Sequence, residues 1–209
     1  GHVFVVLGLL VTHSAWGVIA LPLLSRLYVR KVDLPGIDPK HRPAFRTKLE
    51  LGVELLHWAK KWLGLLKKSI WVVVDGAYAN AAFLKPATAL GMTVVSRLRK
   101  DAALHTVPVP RSSRRRGRPR IYGEQRIDLA KRARHPDGWE SITYKCRGQQ
   151  VTREYKTFLA TTRLTGGAIR GVLVRFDDGN WAPSVCTTAT GPARAICASG
   201  PAHWATDSQ

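Results

Sequence analysis

Residues 71–80, WVVVDGAYAN, set four apolar side chains in a row, Trp71 to Val74, and stop them on a carboxylate, Asp75. Successive side chains of a strand point to opposite faces, so an unbroken apolar run needs cover on both. That need favours layered α/β architecture over a sheet with one wet face. Over residues 44–68, Leu49, Val53, Leu56, Trp62, Leu63 and Leu66 recur near helical spacing. Lys60, Lys61, Lys67 and Lys68 take the rest of that surface and the C-terminal end, where cations suit the helix dipole. Residues 81–90 predict a short helix interrupted by Pro86 and closed by Gly91. Residues 92–97 predict a further strand. Helix–strand–helix–strand order predicts an α/β fold with 70–74 as a central strand.

Two apolar runs, 3–11 and 16–24, precede the helix and are parted by Thr12, His13 and Ser14. Each is about nine residues long, well short of the roughly 20 that a spanning helix needs. They therefore predict two buried strands, 3–11 and 18–28, close enough for a hairpin, and no membrane partner. Pro22 marks an edge or irregularity, because proline cannot donate to a ladder. Beyond residue 139 the pattern turns to β: ESITYK, QVTREYKTFLATTRL, AIRGVLVRF and WAPSVCT, punctuated by Gly148, Gly166–Gly167 and Asp178–Gly179. Trp58, Trp62 and Trp71 sit in apolar patterns and are expected in the core. The chain divides into 1–107, a basic arm and short helix at 108–134, a β-rich block at 135–187, and an irregular tail at 188–209.

Charge points to the partner. The 209 residues carry 33 Lys and Arg against 14 Asp and Glu, a formal +19. Such a chain repels itself and attracts a polyanion, with DNA first among candidates. Six arginines, Arg111, Arg114, Arg115, Arg116, Arg118 and Arg120, crowd a Pro- and Gly-containing arm, and Lys131 and Arg132 follow in a basic helix. These eight are the candidate DNA-binding residues. Arg116-Gly117-Arg118-Pro119 matches the RGRP core of the AT-hook, in which Arg-Gly-Arg lies in a narrow minor groove. Plain phosphate contact by a solvated loop is the simpler reading. Three cysteines without a CxxC pair predict neither zinc nor a disulfide framework, and fit a cytoplasmic setting.

Asp75 has two readings from the residues alone. Asp-Gly is a common turn and cap pair. A carboxylate held at a strand end is also a hard oxygen ligand for Mg²⁺, although a two-metal phosphoryl-transfer site needs at least two converging carboxylates.

WVVVDGAYANAAFLKPATALGMTVVSRLRKDAAL (71–104) resembles the core of bacterial insertion-sequence transposases of the DDE superfamily. Residues 1–30 look like the strand pair that precedes this core, and 114–133 with 139–186 look like the insertion before the third acid. The resemblance covers about residues 1–187. It implies a ribonuclease-H-like α/β core with a β-rich insertion, three acids with Mg²⁺, and DNA cleavage and transfer. By this resemblance Asp75 is the catalytic and metal-binding acid. The family's first acid lies in a strand upstream of the segment where this sequence starts, and its third in a helix after the insertion. Tyr144 and Arg147 copy part of the third acid's frame, but Val151 stands in the acid's place. Glu140, Glu154, Asp177 and Asp178 fall in or between β runs and are expected as surface or turn residues. The tail after Thr187 is unlike the family, as after a frameshift. The expectation is therefore a nucleoid-associated fragment that binds DNA and is inactive alone, with full-length transposase or a second copy as partner. The alternative is a noncatalytic basic protein competing at transposon ends.

Overall fold

The computed structural model describes residues 2–109, 119–146 and 148–190. Strands β1 (Val3–His13) and β2 (Gly17–Tyr28) form an antiparallel hairpin that is a sheet of its own. Its register slips between Leu7 and Gly8, where Pro22 stands opposite Gly8, as expected of a residue without an N–H. The expectation that both strands are buried is not met. Val5 is buried, but Phe4, Val6, Leu10 and Leu27 are each 45% exposed or more, because they lie on the face opposite Val5 and α1 covers the Val5 face.

Helix α1 (Lys48–Leu63) begins later than its apolar pattern suggests. Thr47 accepts the Glu50 N–H at 3.2 Å, and the Glu50 carboxylate accepts the Thr47 N–H at 2.6 Å, a capping box that fixes the first turn. Strand β3 (Trp71–Val74), helix α2 (Ala81–Ala89) and strand β4 (Thr93–Arg97) form a βαβ unit, with β3 and β4 parallel. Val72 and Val74 pack with Leu56, Ala59, Phe83 and Leu84 of the two helices. Trp71 and Val73 join Val95, Val172 and Cys186 on the opposite face. The apolar run thus serves two faces, but β3 is not central. It is the outermost strand, because β4 spends its other edge on β10 rather than carrying β3 into mid-sheet. Trp62 departs from expectation too: it is 52% exposed, beside Trp58 and under Lys61.

The remaining elements continue this sheet. They are β5 (Leu104–His105), β6 (Arg126–Ile127), α3 (Leu129–Arg134), β7 (Glu140–Cys146), β8 (Gln149–Thr162), β9 (Gly167–Arg175) and β10 (Trp181–Cys186). The order is β3-β4-β10-β9-β8-β5-β6, with β7 paired to β8. Helix α3 lays Leu129 and Ala133 on a core of Leu98, Leu104, Ile169, Leu173 and Val185. Its C-terminal carbonyls are capped by buried Lys156, which donates to Arg132 and His135, and by Arg175, which donates to Ala133. Both cations also sit over the Trp139 ring, at 4.7 and 4.0 Å. The β7–β8 hairpin reaches the far sheet: Lys145 Nζ donates to the Ser14 carbonyl at 2.8 Å, and Gly17 lies against the Lys145 carbonyl. No helix among the described residues is long and apolar enough to cross a membrane.

Gly171 faces Phe158 across the β8–β9 ladder, and an added Cβ would come 2.4 Å from the ring. That ring also carries the Arg132 guanidinium at 4.6 Å. Gly171→Ala should cost about 1–3 kcal/mol by overpacking, a loss of several degrees in Tm by thermal denaturation. Gly167→Ala, where nothing lies within 4 Å, is the control and should leave Tm unchanged.

Candidate functional site

Asp75 follows the last residue of β3 and opens a single 3-10 turn, Gly76–Tyr78. Its carboxylate accepts the Gly76 N–H. Its carbonyl accepts the Tyr78 N–H at 2.9 Å and the buried Ser96 hydroxyl at 3.1 Å, which ties the turn to β4. One carboxylate oxygen therefore caps the turn, while the side chain stays exposed and its second oxygen has no hydrogen bond with a described residue. The turn-cap and ligand readings are compatible, since a cap needs one oxygen and leaves the other. Tyr78 is half-buried, edge-on to Phe83 at 5.0 Å and packed on the cluster of Val5, Leu51 and Leu55. Burial raises its pKa, and the Asp75 charge raises it further.

The parallel register pairs Val74 with Ser96, so the next residues, Asp75 and Arg97, leave the same end of the sheet side by side. Gly76 lies against Arg97: a Cβ there would stand 3.5 Å from the Arg97 Cβ. Arg97 makes no ion pair or side-chain hydrogen bond with a described residue. Sequence reasoning missed it. The signal was the length match between WVVVD and TVVSR, which puts residue 97 beside residue 75 once the strands are paired. Beyond it, Arg99 pairs with Asp101 at 3.0 Å, Lys100 covers the Trp181 ring at 5.0 Å, and Arg126 donates to the Asp101 carbonyl.

The basic candidates fare unequally. Arg111, Arg114, Arg115, Arg116 and Arg118, with most of the RGRP segment, lie outside the described residues. Arg120 pairs with Glu124. Lys131 is exposed on α3, its N–H held by Asp128 at 2.9 Å, and Arg132 stacks on Phe158. The arm's two ends are tied together, because Thr106 donates to the Gln125 carbonyl and accepts from the Gly123 N–H, both at 2.9 Å. Leu98, next to Arg97, packs in the same cluster as Leu104 and Ile127, the strands at the arm's root. The root is thus anchored to the chain that leaves the Asp75 end of β4.

The other acids are engaged elsewhere. Glu140 accepts from the Tyr155 hydroxyl, Glu154 pairs with Arg175, and Asp177 pairs with Arg153. Asp178 takes two hydrogen bonds from Asn180, which hold its pKa below the usual carboxylate range. Asp177–Gly179 forms the expected β9–β10 turn, with Gly179 at φ +79°. Among the described residues no three His, Cys, Asp or Glu side chains gather as a metal site.

A family model of DDE superfamily endonucleases matches residues 2–163, more than three quarters of the chain. The chain belongs to that family. No curated protein matches the sequence. The match runs from the β1–β2 hairpin through β8, so β9 and β10 lie beyond it. Among the described residues, the mixed sheet and three α-helices agree with a ribonuclease-H-like DDE fold. DDE endonucleases act on DNA and typically use a divalent metal. The donors described here do not make that site by themselves: Asp75 offers one uncommitted oxygen, and two-metal chemistry needs converging carboxylates.

Asp75→Asn removes the charge beside Tyr78. The Tyr78 titration, followed by ultraviolet absorbance against a Tyr78→Phe reference, should move down yet stay above that of an ordinary tyrosine, because burial is the larger cause. Unfolded tyrosine ionises at the lower pH, so Tyr78 favours the folded state below its unfolded pKa and loses that effect as pH rises through its folded one.

Proposed function

We propose that this chain is a DNA-binding DDE-family protein, of insertion-sequence transposase type, that holds DNA without cutting it efficiently. The observation that carries the reading is Asp75: a strand-end carboxylate in the family's matched region with no second acid beside it among the described residues. With two further acids, such a residue would bind the Mg²⁺ that activates water or a 3′-hydroxyl for attack on a phosphodiester. Here the chain's own residues bind and orient. Arg97 meets a backbone phosphate next to Asp75, and Arg111, Arg114, Arg115, Arg116, Arg118 and Arg120 track the DNA backbone with Lys131 and Arg132. The formal +19 and the anchored root of the arm support this arrangement. The protein works where DNA is, and full-length transposase bound at the same ends is the partner or competitor it would meet.

Fluorescence anisotropy with a duplex oligonucleotide tests the reading. Each phosphate neutralised contributes about −0.9 to the slope of log K against log salt. The slope should be about −5 or steeper, and replacing Arg114, Arg115 and Arg116 by alanine should reduce it by roughly 3. Arg97→Ala should weaken binding severalfold. Asp75→Ala should leave affinity equal or higher, since a negative charge near phosphates is lost. Salt-insensitive binding, or none, would contradict the proposal.

A further inference from the structure

Helix α1 does not stop cleanly. Past Leu63 it tightens into a 3-10 turn, Gly64–Leu66, and Lys67 then turns the chain toward β3. This end of the helix leaves large apolar side chains in water: Trp62 is 52% exposed, Leu66 63% and Leu65 75%. Trp58, one turn before Trp62, is half-buried, with its ring 6.4 Å from the Trp62 ring. The opposite side of the helix is packed into the core through Leu55, Leu56 and Ala59. Trp58, Trp62, Leu65 and Leu66 follow helical spacing, so they continue one ridge on a rigid support.

Four cations collar that ridge. Lys60, Lys61, Lys67 and Lys68 are exposed, and the Lys61 ammonium lies over the Trp62 ring at 5.5 Å. No acid falls between residues 55 and 74. The helix dipole accounts for Lys60 and Lys61 in the last turn. It does not account for Lys67 and Lys68, which lie beyond the helix, or for two leucines in water.

Lys67 supplies an independent observation. It sits at φ 51° and ψ 25°, in the left-handed region, and its N–H donates to the Gly64 carbonyl at 3.2 Å. Among the described residues it is the one non-glycine residue with positive φ. Glycine takes that conformation freely and is the usual residue where a helix ends this way. A lysine held there carries strain and sets an ammonium group beside Leu65 and Leu66. Strain of this kind collects at functional sites.

Ridge and collar define what covers them. An apolar ridge at helical spacing is the surface against which a second helix packs. Four ammonium groups around it are complemented by carboxylates on the flanks of that helix. A second copy of this chain brings the same +19 and meets the collar with the same sign. DNA would satisfy the cations but offer phosphate to Trp62, Leu65 and Leu66. We propose that this end of α1 is a docking surface for an acidic amphipathic helix of another protein. That helix lays an apolar stripe along Trp58, Trp62, Leu65 and Leu66, and its carboxylates pair with the four lysines. Asp75 leaves the other end of β3, so the two surfaces are separate. The inference stands whether or not the chain binds DNA.

The test is fluorescence anisotropy of a labelled peptide titrated with the whole chain. The peptide is acetyl-Glu-Leu-Glu-Glu-Leu-Leu-Glu-Glu-Leu-Glu-Glu-Leu-Leu-Glu-amide, which carries a leucine stripe at helical spacing. The control has the same composition, reordered to give no stripe. At about 0.3 M salt, which screens exposed charges beyond several ångströms, the striped peptide should bind about tenfold or more tighter than the control. Leu65→Ser with Leu66→Ser should abolish that preference and leave Tm and DNA affinity unchanged. Lys67→Gly should raise Tm, because the strain is relieved, and still weaken the striped peptide severalfold. Equal binding of the two peptides, which is charge attraction alone, or a preference that survives the double leucine variant would overturn the proposal. Vesicles of phosphatidylcholine and phosphatidylserine are the second arm. Binding to them that needs Leu65 and Leu66, with no preference between the peptides, would overturn it in favour of an anionic membrane surface. Self-association that disappears in the leucine variant would overturn it in favour of a second copy.

Discussion

The parallel pairing of residues 71–74 with 93–96 is the constraint on which the rest of the molecule depends. It turns α2 onto the same face as α1, so that Val72, Val74 and Val94 share one apolar cluster with both helices. It sends Asp75 and Arg97 out of the sheet together, an acid and a base with no mutual ion pair. Through β10, which pairs with the other edge of β4, it also ties the β-rich half of the chain to the acid-bearing strand. Polar chemistry at the carboxyl end of a parallel strand pair is the general habit of α/β sheets. Here it is Asp75, fixed by the Ser96 hydroxyl and the Tyr78 N–H, with one oxygen left for something outside the described residues.

The electrostatics around that end are lopsided. Arg97, Arg99 and Lys100 follow one another off β4, and the basic helix α3 is docked against the same core that holds Leu98. Most acids of the β-rich half are consumed by local partners: Glu154 by Arg175, Asp177 by Arg153, Asp178 by Asn180. These pairs are partly exposed and contribute little to stability. They leave the remaining positive charge unbalanced, which suits phosphate. Membership of the DDE endonucleases and a surface of this sign are consistent with each other, while the metal chemistry of the family needs converging acids that do not gather with Asp75 among the described residues.

Much of this was legible in the residues. The run WVVVD gave both the strand and its acid, because an unbroken apolar stretch ending on a polar turn has few other solutions. The β1–β2 hairpin, its irregularity at Pro22, and β7 to β10 followed from run length, proline and glycine. The start of α1 at Lys48 was written in Thr47-Lys48-Leu49-Glu50 as a capping box, a local signal that the apolar pattern overshadowed. The misses were nonlocal. Nothing near residue 71 says that β10, more than a hundred residues later, takes the far edge of β4, so β3 was placed in the middle and is at the rim. Nor does an apolar run reveal that one face of β1 and β2 goes uncovered. Arg97 was hidden for the same reason, since its meaning lies in a partner strand.

The measurement that tests the account most directly is a nicking assay. The purified chain is incubated with supercoiled plasmid and Mg²⁺ at concentrations that saturate the DNA. On the proposed reading, in which Asp75 is the one acid of the site among the described residues, the plasmid should stay supercoiled while bound. Nicking or linearisation that disappears in Asp75→Ala would mean that Asp75 has catalytic partners, and would contradict the account.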